Sequence, residues 1–195
     1  QVVETDDFRH ELEAVSGHSL AQFFDQWICS PGYPKLKVGY SFDVDTSTVR
    51  LVVEQTQATG GDATPEIGLF DFDVEVALED ESGTWTIHEL SMSAARHTLM
   101  IPHETAPRSI VIDPEMKLIH ALNFNPGEDV LIAGLTAPTV NGRIQSAEAL
   151  AEAGTAAGIA AVTKAALAEP HFGVRRAMAR ALGGAKRQSA AEGLA

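Results

Sequence analysis

The chain has 195 residues, of which 45% are hydrophobic, enough to bury one ordinary core or two small ones, so an unfolded polymer is excluded. Its 14 Lys and Arg residues against 27 Asp and Glu leave a formal charge of -13, which argues against a nucleic-acid partner. No apolar run approaches the roughly 20 residues of a membrane span. The single cysteine, Cys29, has no internal disulfide partner and no Cys or His at metal-site spacing.

From Gln1 onward there is no basic segment followed by an apolar signal core, so the first residues read as an internal cut. Thr5-Asp6-Asp7 is expected to cap a first helix that carries Phe8, Leu12 and Val15 on one side and ends at Gly17. Ser19 is expected to cap a second, with Gln22 in the reciprocal position of a capping box. Leu20, Phe23, Phe24, Trp27 and Ile28 recur there at three- and four-residue spacing. Helices this short do not fold alone, so both apolar stripes require a surface to dock on. Pro31 and Pro34 bracket Gly32 and force a turn, and Cys29 reads as a small apolar group at the helix end.

Beyond that turn the hydrophobic period becomes two. Leu36, Val38, Tyr40 and Phe42 alternate, followed by Val49, Leu51 and Val53. Phe70, Phe72, Val74, Val76 and Leu78 then alternate with Asp71, Asp73, Glu75 and Glu79, which predicts one packed face and one wet face. Trp85 and Ile87, Leu99 and Ile101, Ile110 and Ile112, and Leu118 with Leu122 bring the count to about seven strands. Such a series without helices between favours an antiparallel two-sheet sandwich, with a small barrel as the rival.

After Phe124-Asn125-Pro126-Gly127 the chain becomes Ala-rich, with helices expected over 143–153, over 155–167 or 158–167, and over 174–182. Ile144, Ala147 and Gly154 are matched about thirty positions on by Val174, Ala177 and Gly184. Arg143 beside Ile144 is likewise matched by Arg175-Arg176 beside Val174. This suggests an α-solenoid, with a plain helical bundle as the alternative; residues 190–195 carry no evident capping sequence.

Zinc peptidases place His-Glu-x-x-His on one helix so that both imidazoles face one way and the glutamate activates water. His10-Glu11, His88-Glu89 and His103-Glu104 meet Ala14, Met92 and Pro107 at the position of the second histidine, so none completes the motif. His18 and His171 stand at segment boundaries and read as local backbone partners. The carboxylates of Asp71, Asp73, Glu75 and Glu79 share one strand face and resemble a solvated surface, not a glycosidase pair. Asp43-x-Asp45 and Asp71-x-Asp73 offer hard oxygens without a complete calcium loop. Ser82 and Ser109 lie outside any Gly-x-Ser-x-Gly elbow. Gly60-Gly61-Asp62 reads as a flexible connection, and Lys186-Arg187 is too small for a nucleic-acid patch. No catalytic, cofactor-binding or metal-ligating residue is therefore assigned.

The joint run Thr5-Asp6-Asp7-Phe8, Ser16-Gly17-His18-Ser19-Leu20, Phe23-Phe24-Asp25-Gln26-Trp27-Ile28 and Pro31-Gly32-Tyr33-Pro34 resembles zinc aminopeptidases of the membrane alanyl aminopeptidase type, at the end of their catalytic domain. Gln55-Thr56-Gln57, after Val49-Arg50, resembles the strand end that follows there. The resemblance implies a mixed, multi-part fold: an antiparallel β-sandwich flanked by an N-terminal helical pair and a C-terminal α-helical, HEAT-like segment. Residues 1–34 would be a helical remnant of the catalytic domain, 35–124 the sandwich and 125–195 the HEAT-like segment. It further implies a parent that removes N-terminal amino acids from peptides, using a zinc ion whose ligands would precede Gln1. Neither Tyr33 nor Tyr40 is assigned as the oxyanion tyrosine of that family. The expected role of this chain is interdomain scaffold, partnered in cis by the catalytic domain; the alternative is a protein-binding adaptor from a catalytically degenerate homologue. Neither the acidic balance nor Cys29 assigns a compartment.

Overall fold

The change of hydrophobic period at Pro31-Gly32-Tyr33-Pro34 is where helix gives way to strand in a computed structural model. The structure describes residues 3–57 and 67–192, with side chains as far as 185. The Gly60-Gly61-Asp62 connection, the side chains of Lys186-Arg187 and the last residues lie outside the described residues. Helix α1, Thr5–Ser16, is capped one residue earlier than expected, by Glu4, whose amide donates to Asp7 Oδ2 at 3.0 Å. Gly17 ends it in the left-handed conformation that a side chain would oppose.

The expected Ser19 cap does not form in that manner. Leu20 stands at the N-cap of α2, Ala21–Phe24, without a side-chain bond, and the Ser19 hydroxyl reaches the Ala21 amide only at 3.5 Å. The helix then widens into a π-helical turn, Asp25–Cys29. Gln22 closes no capping box; its amide meets Gln26 at 3.2 Å and the Asp71 carbonyl at 3.5 Å.

Strands β1 (Lys35–Asp43), β2 (Thr48–Gln55), β5 (Arg96–Pro102) and β7 (Ala121–Phe124) form one sheet in the order β5-β2-β1-β7. Strands β3 (Phe72–Glu79), β4 (Trp85–Met92) and β6 (Ser109–Ile112) form a second, ordered β4-β3-β6. Leu36, Val38, Leu51, Val53 and Ile101 from the first meet Val74, Val76, Leu78, Met92 and Ile112 from the second in one core. This face-to-face packing, with every pair of the three-stranded sheet antiparallel, fits the expected sandwich. The four-stranded sheet departs from it, because β7 runs parallel to β1, with Lys35 opposite Ala121. Five strands intervene between the two, which gives the chain the length a parallel return requires. Leu118 lies before β7, and Phe70 precedes β3 while still joining the core.

The expected wet face of β3 is wet only in part. Asp73 is exposed, whereas Ala77 and Glu79 are buried, and Ala77 packs with Val111, Ala137 and Trp85 in a second apolar layer. The cover comes from the helical segment. Helix α4, Val140–Ala153, comes so close to β6 that a Cβ on Gly142 would stand 2.8 Å from both the Val111 and Ala137 side chains. A seven-residue helix, α3 (Glu128–Gly134), lies ahead of it and is too short to leave a readable period.

Helices α4, α5 (Ala156–Ala168) and α6 (Phe172–Glu192) enclose Ala147, Leu150, Val162, Val174 and Met178. Thr139 and Thr155 cap the first two through the Gly142 and Gly158 amides at 3.2 and 3.0 Å. The repeat is present but its offset is 32 residues, from 143 to 175 and from 137 to 169, in place of the expected thirty. Arg143 donates from Nη1 to the carbonyls of Ala137 and Pro138 at 2.8 and 3.1 Å; Arg175 donates to those of Glu169 and Pro170 at 2.7 and 2.8 Å. Each arginine reaches back to satisfy the carbonyls of the turn that leads into its own helix.

The two clamps are joined by an ion pair. Arg143 Nε donates to Glu169 Oε2 at 2.8 Å and Nη2 to Oε1 at 3.3 Å, with the Glu169 side chain only 4% exposed. Burial pushes the Glu169 carboxyl up, but the His171 amide and the Arg143 guanidinium outweigh it and hold the group below the usual carboxylate range. The pair therefore contributes stability at neutral pH that is lost as pH falls through the lowered folded value. Arg143→Ala is expected to cost about 3 kcal/mol in urea unfolding, since it strands a buried carboxylate. Glu169→Gln should flatten the acid limb of the stability profile, measured by melting temperature against pH.

Candidate functional site

The junction between the N-terminal helices and the two sheets is built from glutamine side chains. Gln55 Nε2 donates to the Phe70 carbonyl at 2.7 Å while its Oε1 accepts from the Phe70 amide at 3.0 Å. Gln57 donates to Gln55 Oε1 at 2.7 Å and to the Gly68 carbonyl at 3.2 Å, and accepts from the Lys35 amide at 3.0 Å. Both glutamines are buried, so these bonds replace the water they lost. Thr56 between them bonds the Lys35 carbonyl through its amide and hydroxyl.

Gln26 repeats the device from the π-helical turn, pairing with Asp71 at 2.7 Å to its amide and 2.9 Å to its carbonyl. One residue on, Trp27 lies with its ring centroid 5.1 Å from that of Phe70. Gly32, at φ 86°, sits where a Cβ would come within 2.8 Å of Ile67. The aromatic stripe is only partly consumed by this seat. Phe24 is buried between Phe8 and Phe23, at centroid distances of 6.2 and 6.0 Å, but Phe23 and Ile28 stay half exposed. Helix α1 buries no residue, and Val15 is 87% exposed. Among the described residues the first stripe thus finds little surface. Cys29 stands at the helix end, as expected, and is exposed there.

The histidines of the incomplete motifs are dispersed. His10 lies on α1, His88 on β4 and His103 just after β5, with His103 Nδ1 2.5 Å from the Thr105 carbonyl oxygen. His88 contacts the Thr86 hydroxyl at 3.1 Å; burial, and then the charge of His103, push its imidazole down. His171 accepts from the Val174 amide at 3.4 Å, a local backbone role. Among the described residues no group of three or more His, Cys, Asp or Glu side chains is gathered so that it could hold a metal ion.

The carboxylates serve turns and neighbours. Asp43 Oδ1 accepts from the Asp45 and Thr46 amides at 3.0 and 3.3 Å. Asp73 accepts from the Ser91 hydroxyl at 2.6 Å, and Glu75 pairs with Lys117 at 2.5 Å. Asp113, at φ 50°, uses both oxygens on the amides of Lys117 and Leu118 at 2.9 and 3.0 Å. Nothing in the sequence marked Asp113, because only the fold turns its neighbours' amides inward. Tyr33 is exposed in the turn, whereas Tyr40 faces inward on β1, where burial raises its phenol.

A cleft of about 330 Å³ opens between β7 and α4, lined by Leu122, Asn123, Asn125, Gln145, Glu148 and Glu152 among others. Burial raises the Glu148 carboxyl, with Arg180 opposing. Gln145, which lines the cleft, pairs with Ile112, donating to its carbonyl at 2.5 Å and accepting from its amide at 3.3 Å.

No family model and no curated protein matches the chain. A solved structure does: the aminopeptidase A of Legionella pneumophila, crystallised with aspartic acid, aligns with a TM-score of 0.64 at 16% identity. The alignment covers 87% of this chain and 20% of that one, so the chain spans about a fifth of the length of the protein it matches. The likeness supports an aminopeptidase-like fold. No described helix is long and apolar enough to cross a membrane.

The glutamine seat carries a measurable consequence. Gln55→Leu leaves the Phe70 amide and carbonyl without their partner and the Gln57 amide with only the Gly68 carbonyl, and is expected to destabilise the chain by about 2 kcal/mol in urea unfolding. An unchanged midpoint would show that water replaces the amide at no cost.

Proposed function

We propose that this chain is a non-catalytic part of a zinc-dependent aminopeptidase of the membrane alanyl type. The parent would remove N-terminal amino acids from peptides, and this part would supply interdomain scaffold. In this reading residues 1–34 belong to the catalytic domain, 35–124 form the sandwich and 125–195 open a HEAT-like solenoid. The observation that carries it is the structural likeness across 87% of the chain to an aminopeptidase of which the alignment covers 20%.

Two features add support. Phe8, Val15, Phe23 and Ile28 are exposed on the N-terminal helices, which is where a catalytic domain in cis would have apolar surface to cover. The 32-residue recurrence of the Arg143 and Arg175 clamps favours stacked helical units over a plain bundle. The same recurrence is what favours the second reading, a protein-binding adaptor derived from a degenerate homologue. In the first reading zinc and peptide substrate are partners of the whole protein, whose metal ligands lie outside these residues.

The highly purified chain, supplied with zinc, is expected to show no turnover of an amino-acid anilide and to retain less than one zinc per chain by elemental analysis. Robust turnover sinks the scaffold reading. The coding sequence upstream of Gln1 separates the two readings: an intact His-Glu-x-x-His with a later Glu supports the enzyme parent, and its loss supports the adaptor.

A further inference from the structure

In a chain of net charge -13, the outward face of the four-stranded sheet is basic. The pleat turns Leu36, Val38 and Tyr40 inward and Lys35, Lys37, Gly39 and Ser41 outward. The β1–β2 register sets Lys37 opposite Glu54, Gly39 opposite Val52 and Ser41 opposite Arg50; β5 adds Arg96 beside Glu54 and Met100 beside Arg50. Four cations therefore share this face with Glu54. Arg96 takes Glu54 at 3.4 Å, while Lys37 and Arg50 have no carboxylate within ion-pair distance among the described residues. Asp43, at the far end of β1, spends its oxygen on its own turn.

Between Lys37 and Arg50 lies a trough of about 330 Å³, lined at its middle by Gly39 and Val52. Gly39 leaves the sheet backbone bare there, so another backbone can lie close. The spacing selects the ligand. Lys37 and the register partner of Arg50 are four residues apart on β1, about 13 Å along the strand. That is too far for one phosphate or sulfate to bridge. An extended peptide places side chains four residues apart on one face at the same interval.

We propose that this sheet face binds an extended acidic polypeptide segment, with carboxylates four residues apart meeting Lys37 and Arg50 across the Gly39 trough. A lipid surface fits less well, because each cation adds only about 1 kcal/mol at an anionic membrane and a broad surface also meets the acidic remainder of the chain, whereas a short segment meets this face alone.

The test uses the full 195-residue chain and a fluorescein-labelled peptide carrying glutamates four residues apart with Ser and Gly between. Anisotropy should show saturable binding that weakens about tenfold as ionic strength rises from ~0.05 M to ~0.3 M. Lys37→Glu with Arg50→Glu should weaken it by at least about tenfold. Lys164→Glu with Arg176→Glu, the same charge change on exposed helix positions, should leave it within about twofold. Circular dichroism melts check both folds, and Lys37→Gln with Arg50→Gln replaces the first pair if it fails to fold. The proposal is overturned if binding is not saturable or if both charge reversals weaken it equally. Binding to phosphatidylserine vesicles without binding to the peptide also overturns it, as does a dimer, seen by sedimentation, that the Lys37 and Arg50 changes dissolve and the peptide does not compete away.

Discussion

Where the backbone of this chain runs out of strand partners, a glutamine side chain takes over its amide and carbonyl together. Gln26 does so at Asp71, Gln55 at Phe70 and Gln145 at Ile112. A primary amide presents a donor and an acceptor in one plane, so it imitates one step of a β-ladder. Buried backbone groups left unpaired would cost more than the ladder step returns. The three pairs fasten the N-terminal helices, the loop before β3 and helix α4 to the sheets. The assembly of parts depends on them.

Helix α4 shows how the third of these contacts shapes the molecule. Gln145 and Asn141 both bond β6 from the same helix, with Asn141 donating to the carbonyls of Ile112 and Asp113 at 3.3 and 2.6 Å. That covers an otherwise free sheet edge. It also brings Gly142 down onto Val111, so the three-stranded sheet is packed on both faces at that end. The helical segment is thereby seated on the sheets through both polar and apolar contacts, while the four-stranded sheet keeps its outer face in water. An outer face free to carry Lys37, Arg50 and Arg96 follows from that asymmetry.

Much was legible from pattern. The first six strands, the stop at Gly17, the Pro-bracketed turn and three of the C-terminal helices followed from period and punctuation, while the seventh strand begins after Leu118. The misses share a cause. Helix α3 is too short to establish a period, and the Ser19 cap lost to a π-helical turn that aims Gln26 at Asp71. The thirty-residue match aligned apolar and small residues, Ile144, Ala147 and Gly154 with Val174, Ala177 and Gly184, which are plentiful in that segment, whereas the offset of 32 is carried by Pro138 and Arg143 against Pro170 and Arg175. Gln55-Thr56-Gln57 was noticed as a pattern, but its work as a buried hydrogen-bonding seat could not be read without Phe70 and Gly68 beside it.

Sequence alone determined which face of each strand is apolar, because side chains alternate with a fixed period of two whatever the strand pairs with. It also determined that the chain is acidic and that its histidines do not complete a zinc motif within one helix. Only the tertiary structure decided that β7 lies parallel to β1, that the outer face of β3 goes dry at Ala77, and that Lys37 and Arg50 stand on a common face. Those outcomes depend on residues distant in the chain meeting in space, and a local period carries no information about which distant partner arrives.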